Sequence, residues 1–313
     1  MKIVFFGTPT FAVPSLVLLS QTPGLDLVGI VTQPDTRRGR GNQFSYSPVK
    51  QAALEINPQI QIWQPDRLKK APEVLAALRA TQADLFIVVA YGQILSPEIL
   101  GMPHQGCINL HGSLLPQYRG AAPIQWAIAN GEQTTGVTTM QMDAGIDTGD
   151  MLLKAGLEIL PQDQAESLSA KLADLGANLL IQTLNQLDQI NPTPQDHSLS
   201  SYAPMITKID LELDWSSSAK QLRDRIRGFY PDCFTNFRGQ RLKISQAELI
   251  ASQTDLTPGA IAALVKQRGF VVQTGAEQLL ITEVQPAGKK IQTGWDFANG
   301  ARIGVGESLT CPG

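Results

Sequence analysis

Along the first 190 residues the apolar positions fall into short unbroken runs separated by stretches of helical period. The runs at 2–7, 26–32, 60–64, 84–90 and 106–111 read as strands. Leu85-Phe86-Ile87-Val88-Val89 shows no polar alternation, as expected of a strand covered on both faces. Residues 11–20, 47–56, 72–80 and 122–130 read as helices, two of them with Pro48 or Pro123 in the first turn, where a missing N–H has no partner to lose. Two further strands, 135–142 and 151–159, precede a long amphipathic helix at 165–187. Strand and helix in alternation predict an α/β fold, a doubly wound, Rossmann-like, mostly parallel sheet with helices on both faces.

The periodicity stops at Asn191-Pro192-Thr193-Pro194-Gln195-Asp196 and the serine-rich stretch behind it, the pattern of a linker. Beyond lie a helix at 217–228 and short strands at 234–237, 242–247, 261–266, 269–273 and 278–284, punctuated by glycines such as Gly239, Gly259 and Gly275. Short strands at this spacing predict a small β-barrel of the oligonucleotide-binding (OB-like) type. The expected division is a larger domain at 1–190, a linker at 191–207 and a barrel domain at 208–313.

Composition narrows the classes. Of 313 residues, 43% are hydrophobic and 17% charged, which excludes a disordered chain. No apolar run approaches the roughly 18 residues that cross a bilayer. Only Ile3, Val4, Phe5 and Phe6 follow Lys2 before Gly7-Thr8-Pro9, against the about 7–15 apolar residues of a secretory core. A cytoplasmic protein without membrane contact is expected. Cys107, Cys233 and Cys311 form no Cys-x-x-Cys pair, and His104, His111 and His197 lack ligand spacing, so neither a disulfide framework nor a metal is expected. Residues 1–207 carry 12 Lys+Arg against 17 Asp+Glu, whereas residues 208–313 carry 13 against 11. The basic excess concentrates at 217–243, where it suits either a polyanion or a solvated helix face.

In an open parallel sheet, ligands bind beyond the carboxyl ends of the strands. Gly7-Thr8-Pro9, the first such turn, holds one glycine of the Gly-x-Gly-x-x-Gly pattern, which counts against a nicotinamide oxidoreductase. Gly106-Cys107-Ile108-Asn109-Leu110-His111-Gly112-Ser113 is sharper: residues two apart on a strand share a side, so Asn109 and His111 project together. The acidic turn from Asp143 to Asp150 can supply a carboxylate to orient His111 if it returns there. Asn, His and Asp without an activated Ser or Cys suit a reaction whose substrate brings its own nucleophile. Ser113 and Cys107 are the rival nucleophiles. Cys107 shares the face of Asn109 and His111, but its sequence neighbours include no base or cation to lower its pKa.

Asn109-x-His111-Gly112-Ser113-Leu114-Leu115-Pro116, Tyr118-Arg119-Gly120-Ala121-Ala122-Pro123-Ile124 and Asp143-x-Gly145-x-Asp147-Thr148-Gly149-Asp150 together resemble the folate-dependent formyltransferases. Phe6-Gly7-Thr8-Pro9, Thr32-Gln33-Pro34-Asp35, Arg38-Gly39-Arg40-Gly41, Ser47-Pro48-Val49-Lys50 and Val88-Val89-Ala90-Tyr91-Gly92 narrow the resemblance to the branch acting on methionyl-tRNA. The resemblance implies transfer of the formyl group of 10-formyltetrahydrofolate to the α-amine of initiator methionyl-tRNA, in support of translation initiation. A monomer is expected. Asn109, His111 and Asp147 become the implied catalytic residues, with Asn109 and an N–H of His111 on the oxyanion and His111, beside Asp147, moving the proton. The implied folate site comprises Ser113, Leu114, Leu115 and Pro116, with the pterin against backbone around Val89, Ala90, Tyr91, Met142, Asp143, Ala144 and Gly145. Arg37, Arg38 and Arg40 are assigned to the tRNA acceptor stem, and Lys220, Arg223 and Arg227 to the tRNA contact of the barrel domain. Arg119 has two open roles, at the folate tail or in shaping its loop. A sugar-nucleotide formyltransferase shares the core motifs.

Overall fold

The computed structural model describes residues 1–38 and 43–310; Arg40 and Cys311 lie outside the described residues. The chain divides into two compact units. The first comprises Met1–Pro123, Thr134–Glu158 and Ser169–Ala203, the second Ile124–Gln133, Ile159–Leu168 and Pro204–Gly313.

In chain order the first half runs β1 (Lys2–Gly7), α1 (Val13–Gln21), β2 (Asp26–Val31), the hairpin β3 (Thr36–Arg38) and β4 (Gln43–Ser45), α2 (Pro48–Ile56), β5 (Ile62–Trp63), α3 (Pro72–Ala80) and β6 (Leu85–Val89). It continues with α4 (Pro97–Leu100), β7 (Cys107–His111), β8 (Arg119–Gly120), α5 (Pro123–Ala129), β9 (Thr134–Gln141), β10 (Met151–Glu158), α6 (Ala165–Asn185) and β11 (Tyr202–Ala203). Arg37 and Arg38 belong to the backbone of β3. Helix starts follow local chemistry. Ser47 caps α2 by accepting from the Lys50 N–H, with Pro48 in the first turn. The helix expected at 11–20 opens instead as a 3-10 turn at Thr10–Ala12, because Pro14 is tolerated only in the first turn of α1.

The sheet of the first unit has the order β10-β9-β7-β6-β1-β2-β5. Its five strands from β7 to β5 pair in parallel, and β9 and β10 add an antiparallel edge. The connections step from β1 outward to β5, then return to β6 on the other side of β1. The topological switch therefore lies between β1 and β6, the place where such sheets take ligands, beyond the carboxyl ends of the two strands. Across it, Thr8 Oγ1 and Gln33 Nε2 donate to the Tyr91 carbonyl at 3.0 and 3.1 Å. The apolar runs fill the core as their patterning requires: Ile3 to Phe6 and Leu85 to Val89 are buried throughout. Residues 191–203, expected as part of a linker, pack in this unit. Thr193 bridges Met151, and β11 pairs in parallel with β8.

The second unit adds α7 (Ala219–Gly228), β12 (Phe234–Phe237), β13 (Gln240–Ile250), β14 (Ile261–Val265), β15 (Gly269–Gln273), β16 (Gln278–Pro286), β17 (Gln292–Thr293), α8 (Gly294–Gly300) and β18 (Leu309–Thr310). The antiparallel order is β14-β15-β16-β13-β12-β18, with β17 beside β16. The two ends of that order meet: Leu309 N donates to Gly259 O at 2.8 Å and Ile261 N to Glu307 O at 2.7 Å. The sheet thus curls into a barrel of the OB-like kind. Its core includes Leu213, Trp215, Leu222, Ile226, Phe270 and Ile281. A capping box formed by Ser218 and Gln221 starts α7.

Candidate active site

Asn109 and His111 stand on β7, the strand next to β6, and Val88 pairs with Asn109 in register. Asn109 Nδ2 donates to the Val88 carbonyl at 3.1 Å, which orients the amide, and Oδ1 is buried without a partner. A buried acceptor left open on an otherwise satisfied strand is the mark of a ligand position. His111 is 6% exposed. Its Nε2 lies 2.9 Å from the Tyr118 carbonyl, and since a carbonyl only accepts, Nε2 carries the proton. The ring N–H expected at the oxyanion is therefore committed to Tyr118, and Nδ1 is the nitrogen left to act.

That nitrogen faces Asp147, whose Oδ2 lies 3.6 Å away. The loop after β9 starts beside Cys107, where Met142 N donates to the Cys107 carbonyl, and comes back to bring Asp147 to His111. Asp147 Oδ2 also accepts from Gly120 N at 2.8 Å. Gly120 has φ +113°, and a Cβ there would meet the Ala203 carbonyl at 2.8 Å, so only glycine presents this N–H while β8 lies against β11. One tripeptide, Tyr118-Arg119-Gly120, thus touches both members of the pair. Arg119 itself is 1% exposed, and its guanidinium meets Gln195 and His197 inside the unit.

The other residues expected at the folate lie at the end of β6 or on the segments that follow β6, β7 and β9. Ser113 follows β7, buried, and its Oγ donates to the Gln117 carbonyl at 2.6 Å. Leu115 N donates to Thr138 Oγ1, and the Leu115 carbonyl accepts from Lys154 Nζ at 2.5 Å; Pro116 follows a cis peptide bond. Val89 ends β6, and Ala90 turns the chain at φ 48° towards the buried Tyr91. Met142, Asp143, Ala144 and Gly145 begin the loop that carries Asp147, with the Asp143 carboxylate accepting from Gly145 N and Thr148 Oγ1. Two further motifs interlock: Lys50 Nζ meets Asp35 Oδ2 at 2.5 Å, and the Thr32 and Ser47 hydroxyls lie 2.8 Å apart. Burial pushes the Cys107 thiol up to about 12, which removes it as a nucleophile at neutral pH.

In the second unit, Lys220, Arg223 and Arg227 all converge on the carboxylate of Asp224, each at 2.9 Å. Arg227 also donates to the carbonyls of Asp163 and Leu160. One carboxylate serves all three cations, so the cluster stays net positive, and Lys220 is the most exposed of the three. Sequence reasoning missed Gln195, whose Nε2 donates to the carbonyls of Asp147 and Gly149.

Two family models cover most of the chain: the formyl transferase domain matches residues 1–184 and the formyl transferase C-terminal domain residues 205–302. The chain belongs to the formyl transferase family. Among relatives in this family, the methionyl-tRNA formyltransferase of Cyanothece sp. is 54% identical over 99% of both chains, and that of Trichodesmium erythraeum is 52% identical over 98% of both. Solved structures agree in fold. An N-formyltransferase from Helicobacter canadensis, in complex with folinic acid and dTDP-3-aminofucose, superposes with a TM-score of 0.66 at 18% identity, covering 91% of this chain and 99% of its own. HypX from Aquifex aeolicus, in complex with tetrahydrofolic acid, gives 0.63 at 16% identity over 98% of this chain and 48% of its own. Among the described residues no helix is long and apolar enough to cross a membrane, and no group of three His, Cys, Asp or Glu side chains could hold a metal ion.

Proposed function

We propose that this chain transfers the formyl group of 10-formyltetrahydrofolate to the α-amine of initiator methionyl-tRNA, acting as a cytoplasmic monomer whose catalytic groups all come from one chain. The near full-length relatives named for that reaction support the substrate pair. The observation that carries the chemistry is the placement of His111 Nδ1 against Asp147, with Nε2 held by Tyr118.

The acceptor amine has an unperturbed pKa of about 7.7–8.0, so a useful fraction is neutral near pH 7 and needs no covalent enzyme intermediate. Its attack on the formyl carbon builds negative charge on the carbonyl oxygen, where the second N–H of Asn109 donates. The orphaned Oδ1 of Asn109 suits the N–H of the attacking amine. His111 Nδ1 takes the proton that the amine loses. The imidazolium is then held between the Tyr118 carbonyl and the Asp147 carboxylate, and its proton goes to the folate nitrogen that leaves. Val89 to Tyr91, Ser113 to Pro116 and Met142 to Gly145 form the folate wall in this reading, apolar side chains and backbone polar groups that fit a flat heterocycle. Arg37, Arg38 and Arg40 meet the acceptor stem, and Lys220 and Arg223 add to the tRNA contact.

The deciding experiment is an acceptor panel with one donor: methionyl-tRNA, glycinamide ribonucleotide and an amino-sugar nucleotide. Formylation of methionyl-tRNA far ahead of the other two is expected. Preference for the sugar nucleotide would overturn the assignment.

A further inference from the structure

Asp147 sits at φ 52°, a left-handed conformation that a non-glycine residue keeps only where its surroundings enforce it. The bonds of Gly145 and Thr148 inside its loop go to Asp143 and leave the Asp147 backbone unheld. Gln195 reaches that backbone from outside, its Nε2 donating to the Asp147 carbonyl at 2.9 Å and to the Gly149 carbonyl at 2.7 Å. The Gln195 amide cannot turn round. Its Oε1 accepts from Arg119 Nε and Nη2 at 3.0 and 2.6 Å, and a guanidinium only donates. The third contact of Arg119 is His197 Nδ1 at 3.1 Å, and among the described residues no carboxylate pairs with it. A guanidinium buried against an amide and an imidazole is arranged to orient, since full neutralisation would call for a carboxylate.

We propose that Gln195, aligned by the buried Arg119, is a positioning residue for Asp147: it clamps the backbone at 147 and 149 so that the carboxylate stays on the Nδ1 side of His111. This deepens the formyl-transfer reading and rests on it. Gln195→Glu isolates the role, because the new carboxylate still accepts from Arg119 but offers the two loop carbonyls an acceptor where they need a donor. The full-length variant should still fold, its ion pair with Arg119 offsetting part of the two lost bonds. Its kcat with methionyl-tRNA should fall by roughly tenfold to a hundredfold, the scale of a misplaced catalytic group, with both KM values little changed. The Gly120 amide, which donates to Asp147 Oδ2, should exchange its hydrogen faster. In the background of Asp147→Asn, adding Gln195→Glu should cost no further kcat, because the carboxylate that it positions is gone. Arg119→Lys keeps the charge without the fork and should show the same non-additivity, which decides the matter if Gln195→Glu fails to fold. A kcat within about twofold of wild type, unchanged Gly120 exchange, or losses that multiply in the double variant would overturn the proposal. A wild-type enzyme inactive on methionyl-tRNA would overturn the function instead.

Discussion

The Tyr118 carbonyl accepts the Nε2–H of His111 at 2.9 Å, so the neutral ring is held in one tautomer with Nδ1 turned towards Asp147. A free histidine populates both tautomers, and a fixed donor–acceptor partner selects one. Nitrogen NMR of the histidine-labelled protein should find Nδ1 of neutral His111 unprotonated and Nε2 protonated. The opposite assignment would place the proton acceptor on the wrong side of the ring.

Cys107 shares a strand with Asn109 and His111 and is nevertheless inert in this account. Its Sγ contacts the Leu100 carbonyl at 3.7 Å within the core, and burial raises its pKa to about 12. Cys107→Ala should keep turnover within about twofold of wild type and lose at most a few kcal/mol of stability from the small cavity. Abolished turnover with an intact fold would bring a thiol mechanism back.

Asp224 ties three cations of α7 together. Burial opposes its charge, but hydrogen bonds and charge from Lys220 and Arg223 outweigh this and hold its carboxyl below the usual range. A carboxyl with a lowered folded-state pKa contributes stability that is complete above the unfolded value of about 3.9 and is lost as pH falls through the folded value. Asp224→Asn should lower stability at pH 7 by about 1–3 kcal/mol, the scale of hydrogen bonds to a charged group whose partners are partly exposed. Between pH 5 and pH 3, thermal melts of the variant should fall less steeply than those of wild type; parallel curves would contradict the role.

The arginines of residues 37–40 test the tRNA contact separately from the chemistry. Replacing Arg38 and Arg40 by Ala should lower kcat/KM for methionyl-tRNA while folate binding stays unchanged. Each lost phosphate contact should flatten the slope of log K against log salt by roughly 0.7–0.9. Unchanged salt dependence together with unchanged kcat/KM would remove these arginines from the interface.

Part of this site was legible because a strand has a period of two: Asn109 and His111 had to share a side of β7 wherever the strand lay. Which carboxylate of Asp143, Asp147 and Asp150 meets the imidazole depends on how the loop folds back, and residue spacing does not determine that. Gln195 was out of reach. It sits among Pro192, Thr193, Pro194 and Asp196, a composition that reads as linker, and its task exists only because Arg119, 76 residues earlier, packs against it. On α7 the helical period already placed Lys220 and Arg227 within one turn of Asp224, but a count of charges cannot tell cations gathered on one carboxylate from a surface open to RNA. The barrel was legible from its short strands and glycines, whereas its closure through residues 259–261 and 306–309 rests on backbone bonds that no side-chain pattern encodes.

The central claim is that Asn109, His111 and Asp147 act on the formyl-transfer step. Its most direct test is the single-turnover rate of formyl transfer to methionyl-tRNA in His111→Ala, Asn109→Ala and Asp147→Ala, with donor and tRNA both saturating and both affinities measured. The account predicts rates lower by about 10²–10⁴-fold, with each affinity nearly unchanged. A near-normal rate in any two of the three variants would contradict it.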